Sequence, residues 1–134
     1  MALALILGEP VWQNAARLIR SLALEPAGLV APTLFDAECA GGLVKAIRRG
    51  RLDAERATAA MIQVLRLPVE RLSSPAAAVY ALELALDHGV SAYDAVYVAL
   101  AIEERLPLVT ADARLVRAFD DGPHQVILLD DIEL

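Results

Sequence analysis

Short apolar runs alternate with longer helical stretches along this chain, and each boundary between them carries a turn or capping residue. Strands separated by helices cannot pair through tight hairpins, so the alternation restricts the chain to an α/β architecture with helices packed on a mainly parallel sheet. Residues 28–31, 68–72, 108–110 and 125–129 read as strands. The segments between them read as helices by the recurrence of apolar residues at three- and four-residue spacing. There is no internal repeat and no low-complexity linker.

The helix boundaries follow from local chemistry. A first helix covers 11–24, with Val11, Ala15, Leu18, Ile19 and Leu22 on one face. Thr33 with Asp36 three residues on has the form of a capping box, and the helix it opens runs to Arg49, before Gly50. Asp53 caps a helix over 54–65. Ser74-Pro75 opens another, with Pro in its favoured first turn, that ends at Gly89. Ser91, again followed three residues later by an acid, Asp94, starts a helix that runs to Arg105, with Tyr93, Val96, Tyr97 and Leu100 as its apolar face. A short helix covers 113–119.

The 134 residues suffice for one compact domain with a buried core and no disulfide. Hydrophobic residues make up 57% of the chain and aromatics only 4%, so that core is built from Ala, Leu and Val. A formal charge of −6 argues against a general polycation, although Lys45, Arg48, Arg49 and Arg51 cluster, as do Arg114 and Arg117. Read alone, each cluster is equally a solvated helix face. The single cysteine, Cys39, cannot form an intrachain disulfide, and no Cys/His cluster offers a zinc site; the pattern suits a reducing cytoplasm and a packing role for Cys39. His88 and His124 read as structural. No apolar run approaches the length of a membrane span, and no basic stretch opens a signal peptide.

Three acids in separate contexts carry the chemistry. Glu38 lies one helical turn beyond the first strand and Asp112 directly after 108–110, while Asp94 sits in the first turn of its helix with Tyr97, Val98 and Ala101 on its side. Parallel sheets gather sites where strand ends and helix starts converge. Carboxylates brought there would suit a hard divalent cation, which prefers oxygen ligands. An acid at the head of a buried helical face requires charge compensation, and a metal would provide it. Each acid also has a plainer reading: Asp94 completes a capping box, Asp112 is an N-cap, and Glu38 is an exposed polar position.

Taken in order, the blocks Pro32-Thr-Leu-Phe-Asp-Ala-Glu38, Leu43-Val-Lys-Ala-Ile-Arg-Arg-Gly50, Ser91-Ala-Tyr-Asp94-Ala-Val-Tyr and Pro107-Leu-Val-Thr-Ala-Asp112-Ala-Arg-Leu resemble a PIN domain of the VapC type across essentially the whole chain. The resemblance implies a PIN-like three-layer α/β sandwich and a Mg²⁺- or Mn²⁺-dependent endoribonuclease, the toxin of a toxin–antitoxin pair. It makes Glu38, Asp94 and Asp112 the catalytic metal ligands, directly or through water, and Thr110 a polar residue behind them. Lys45, Arg48, Arg49 and Arg114 become candidate phosphate contacts on the RNA. A homodimer and a cognate antitoxin are the partners it suggests.

One departure stands out. The family's sheet begins with a central apolar strand ending in an aspartate, the fourth acid of its site, and Met1-Ala-Leu-Ala-Leu-Ile-Leu7 resembles the helix after that strand. The expectation is that the strand and its aspartate are missing, with the true start lying upstream. A degenerate, inactive PIN domain acting as a protein-binding module is the alternative, its Ala- and Leu-rich helices meeting a partner helix.

Overall fold

The computed structural model describes residues 17–18 and 28–132. Arg17 and Leu18 are helical and Leu18 is buried; the remainder of the 11–24 helix and the reading of 1–7 lie outside the described residues. From there the order is β1 (Leu29–Pro32), α1 (Leu34–Arg48), α2 (Ala54–Leu65), β2 (Val69–Leu72), α3 (Pro75–His88), α4 (Ala92–Glu104), β3 (Leu108–Thr110), α5 (Ala113–Ala118) and β4 (Val126–Leu128), closed by a 3₁₀ turn, Leu129–Asp131. This is the mixed α/β order expected, with strand and helix ends moved by a residue or so. The described residues fall into two compact units, one reaching to Arg71 and the other starting at Leu72.

In the first unit β1 pairs with β2, and α1 packs on α2. Cys39 and Val64 form its buried centre, with Phe35, Met61 and Leu67 packed around them. The expected capping box at the start of α1 is not made. Thr33 has helical dihedrals (φ −58°, ψ −21°) and its hydroxyl caps nothing, because an N-cap needs an extended backbone to swing its side chain over the first turn. Asp36 turns to Arg71 instead. Asp53 does cap α2, accepting the Arg56 backbone N–H at 2.8 Å.

In the second unit α3 and α4 form the main contact. Ala77, Ala81 and Leu84 of α3 meet Ala95, Val98 and Ala99 of α4, and Leu115 and Phe119 complete the cluster. Small residues on both faces let the two helices approach closely, which is how a chain poor in aromatics still fills its core. The apolar face read for α4 needs correction: Tyr93 is 67% exposed. Leu100 is buried as read and Val96 and Tyr97 are half-buried; the stripe that meets α3 is Ala95, Val98 and Ala99 with half-buried Ile102, and Tyr93, two residues before Ala95, lies about 200° around the helix from it. His88 closes the end of α3: its Nδ1 is 2.8 Å from the Ala118 carbonyl and its ring stacks on Phe119 at 4.0 Å.

β3 and β4 pair in parallel, with Leu108 opposite Val126, Val109 opposite Ile127 and Thr110 opposite Leu128. With α5 between them they form a β–α–β unit, so α5 starts at the carboxyl end of β3.

Candidate functional site

The second unit brings two of the three acids to comparable positions. Ser91 is extended (φ −68°, ψ 150°) and its Oγ accepts the Asp94 backbone N–H at 3.1 Å, fixing the first turn of α4. The same hydroxyl donates to Asp94 Oδ2 at 2.6 Å. The Asp94 carboxylate therefore answers the Ser91 hydroxyl instead of reaching back to its backbone, as a full capping box would require. That bond supplies part of the compensation that a half-buried acid at a helix head needs.

Asp112 caps α5, as its plainer reading held, with Oδ1 accepting the Arg114 backbone N–H at 2.8 Å. Thr110 Oγ1 accepts the Asp112 backbone N–H at 3.0 Å, so the hydroxyl at the end of β3 fixes the turn that presents the acid. The Arg114 backbone N–H, and after it the Arg114 guanidinium, hold the Asp112 carboxyl below its usual range against the opposing effect of burial. The guanidinium contacts are loose, at 3.4 and 3.5 Å on a side chain 85% exposed, so they are readily exchanged for other partners.

α4 rises about 20 Å over its length. It ends at Arg105, whose left-handed backbone (φ 56°) turns the chain back, and β3 packs on α4. The chain then runs from Leu106 through β3 to Asp112, which follows the carboxyl end of that strand.

Glu38 belongs to the first unit. It is exposed, just past the first turn of α1. Lys45 is seven residues further along α1, close to two full turns, so it shares the Glu38 face about 10 Å down the axis. Lys45 and Arg48 lie in the last turn of α1 and Arg49 is its C-cap, where cations also complement the helix dipole. All are exposed. Among the described residues, no group of three His, Cys, Asp or Glu side chains stands gathered as a metal site. Taken singly, Glu38, Asp94 and Asp112 each offer carboxylate oxygens, the ligand type that a hard cation prefers over thiolate or imidazole.

The family model for the PIN domain matches residues 1–120. The chain belongs to the PIN domain family. Ribonuclease VapC12 of Mycobacterium tuberculosis is 31% identical over 117 residues, 87% of this chain and 85% of that protein. Ribonuclease VapC1 of the same organism is 39% identical over 89 residues, 66% of this chain, and Ribonuclease VapC9 is 40% identical over 84 residues, 63% of this chain. The match spans 65% of the length of each of those two proteins.

Two residues of this PIN domain escaped the sequence reading. Local sequence places Asp36 in a helix cap and Arg71 in a strand, yet they form a partly buried ion pair at 3.0 Å. Strand alternation held the signal. In Val69–Leu72 the exposed acid is Glu70, so Arg71 falls on the side of half-buried Val69, where a cation needs a partner.

Proposed function

We propose that this PIN domain is a divalent-metal-dependent endoribonuclease that hydrolyses phosphodiester bonds in RNA, the toxin component of a type II toxin–antitoxin pair acting in the cytoplasm. The observation that carries the reading is the match to Ribonuclease VapC12 across 85% of that protein. Glu38, Asp94 and Asp112 would hold Mg²⁺ or Mn²⁺. When bound, such an ion supplies a Lewis acid for the phosphodiester and lowers the pKa of water.

The protein's own groups orient this chemistry. Ser91 keeps the Asp94 carboxylate on the first turn of α4, and Thr110 fixes the turn that presents Asp112. Side-chain nucleophiles have no part in it. Cys39 is 4% exposed, and desolvation pushes its thiol above the usual range, while His88 is engaged by the Ala118 carbonyl and Phe119. Lys45, Arg48, Arg49 and Arg114 would bind RNA phosphates, Lys45 on the Glu38 face. No described helix is long and apolar enough to cross a membrane.

A second reading, a degenerate PIN domain that binds protein without cutting RNA, is favoured by one feature. Val79, Leu82 and Leu86 are 68%, 60% and 76% exposed and follow three- and seven-residue spacing on one face of α3. The same stripe would serve a nuclease as a homodimer contact or a seat for its cognate antitoxin. Calorimetric titration with Mn²⁺ separates the two readings. The nuclease binds the ion and loses that binding in Asp94→Asn, whereas a pure binding module gives no heat in either protein.

A further inference from the structure

Arg71 turns a cation into the first unit, and its side chain is only 19% exposed. Its hydrogen-bonding groups are fully engaged. Nε and Nη2 donate to Asp36 Oδ1 at 3.2 and 3.0 Å, Nη2 also donates to the Val64 carbonyl at 3.0 Å, and Nη1 donates to the carbonyls of Leu67, at 3.3 Å, and Val69. Each N–H of the guanidinium fork thus has an acceptor. The plane lies over the Phe35 ring, 5.5 Å from its centroid. Val64 lies at the end of α2, which has no basic residue in its last turn, so Arg71 also supplies the cation that this helix end favours.

The far side of this clamp is the start of α1. Thr33 makes no side-chain cap there, and the two residues that Arg71 grips, Phe35 and Asp36, lie in the first turn of that helix. Glu38 is two residues beyond Asp36, about 200° around the axis. Rotating α1 so that Asp36 meets Arg71 therefore turns Glu38 to the opposite, exposed side. A lysine would not do the same work, because one ammonium cannot span the Asp36 oxygen and three separate carbonyls in this planar arrangement.

We infer that Arg71 is a positioning residue for Glu38: through Asp36 and Phe35 it sets the rotation of α1 and so the direction in which the Glu38 carboxylate is offered. The inference rests on the reading of Glu38 as a metal ligand. Partners that orient metal ligands typically change affinity by about 10–100-fold when removed.

The test is Mn²⁺ binding by the full chain, followed by the electron paramagnetic resonance signal of the free ion, in the wild type, Glu38→Gln, Asp36→Asn, Arg71→Lys and Asp53→Ala. The last removes the α2 cap in the same unit and controls for lost stability. Asp36→Asn and Arg71→Lys are each expected to weaken binding about tenfold. Their combination should weaken it no further, and Asp53→Ala should leave it unchanged. Should Arg71→Lys fail to fold, Asp36→Asn, which keeps shape and removes only charge, decides alone. Wild-type affinity in Asp36→Asn, with binding lost in Glu38→Gln, would overturn the positioning role while sparing the metal reading. Wild-type affinity in Glu38→Gln would overturn the metal reading itself, and the inference with it.

Discussion

Ser91 and Asp94 hold each other through one hydroxyl, which accepts the Asp94 backbone N–H at 3.1 Å and donates to its carboxylate at 2.6 Å. A single side chain thus starts α4 and orients the acid on its first turn. Ser91→Ala removes both bonds. It is expected to lower the free energy of unfolding by about 1 kcal/mol in urea, the usual consequence of losing an N-cap. Ser91→Thr, which keeps the hydroxyl, should restore most of that loss.

Asp53 caps α2 by the same chemistry but has no bond to a proposed site residue. Asp53→Ala is expected to destabilise by a similar amount, about 1 kcal/mol. Metal affinity should be unaffected, so the two cap variants, measured side by side, separate stability from function.

The contact of α3 with α4 depends on small side chains. Ala95 is 0% and Ala99 1% exposed, so an added isobutyl group has no room without moving a helix. Ala99→Leu is expected to destabilise by about 1–3 kcal/mol through overpacking. Val79→Ala, on the exposed face of α3, should stay within about 0.5 kcal/mol of the wild type. Both are read from denaturant midpoints.

Asp112 gives the fold a pH dependence of defined sign. Its folded-state carboxyl is held below the ordinary 3.8, chiefly by the Arg114 backbone N–H, so the unfolded chain takes up the proton first. Its stabilising contribution is therefore complete above the ordinary aspartate range and disappears as pH falls through the lower folded value. The group is 41% exposed, so solvent screening keeps the effect small. In EDTA, the stability advantage of the wild type over Asp112→Asn should shrink between about pH 5 and about pH 2. An advantage constant across that interval would show that the cap does not depend on charge.

What was legible in the sequence was whatever depends on neighbours in the chain. Asp53, Ser74 and Ser91 announced their helices because a cap is settled within three residues, and Gly89 ends α3 with the positive φ (65°) that glycine adopts freely. The cap roles of Ser91, the partner of Asp94, and of Asp112 were legible for the same reason, each standing in a compact local block. Thr33 misled because its block has the form of a capping box, while the partner that takes Asp36 is 35 residues away. Tyr93 misled because apolar character alone does not say which face of α4 meets α3; the run of alanines does. Arg71 was silent because its acceptors are one carboxylate and three carbonyls, and carbonyls leave no mark in a sequence.

The most direct test of the account is cleavage of a labelled RNA pool by the 134-residue chain in Mn²⁺ and in EDTA, beside Asp94→Asn. Cutting should require the ion and fall in the variant by more than the roughly 10–100-fold typical of losing a partner that only orients a metal ligand. A folded wild-type chain that leaves RNA intact in Mn²⁺, or an Asp94→Asn variant that cuts as fast as the wild type, would contradict it.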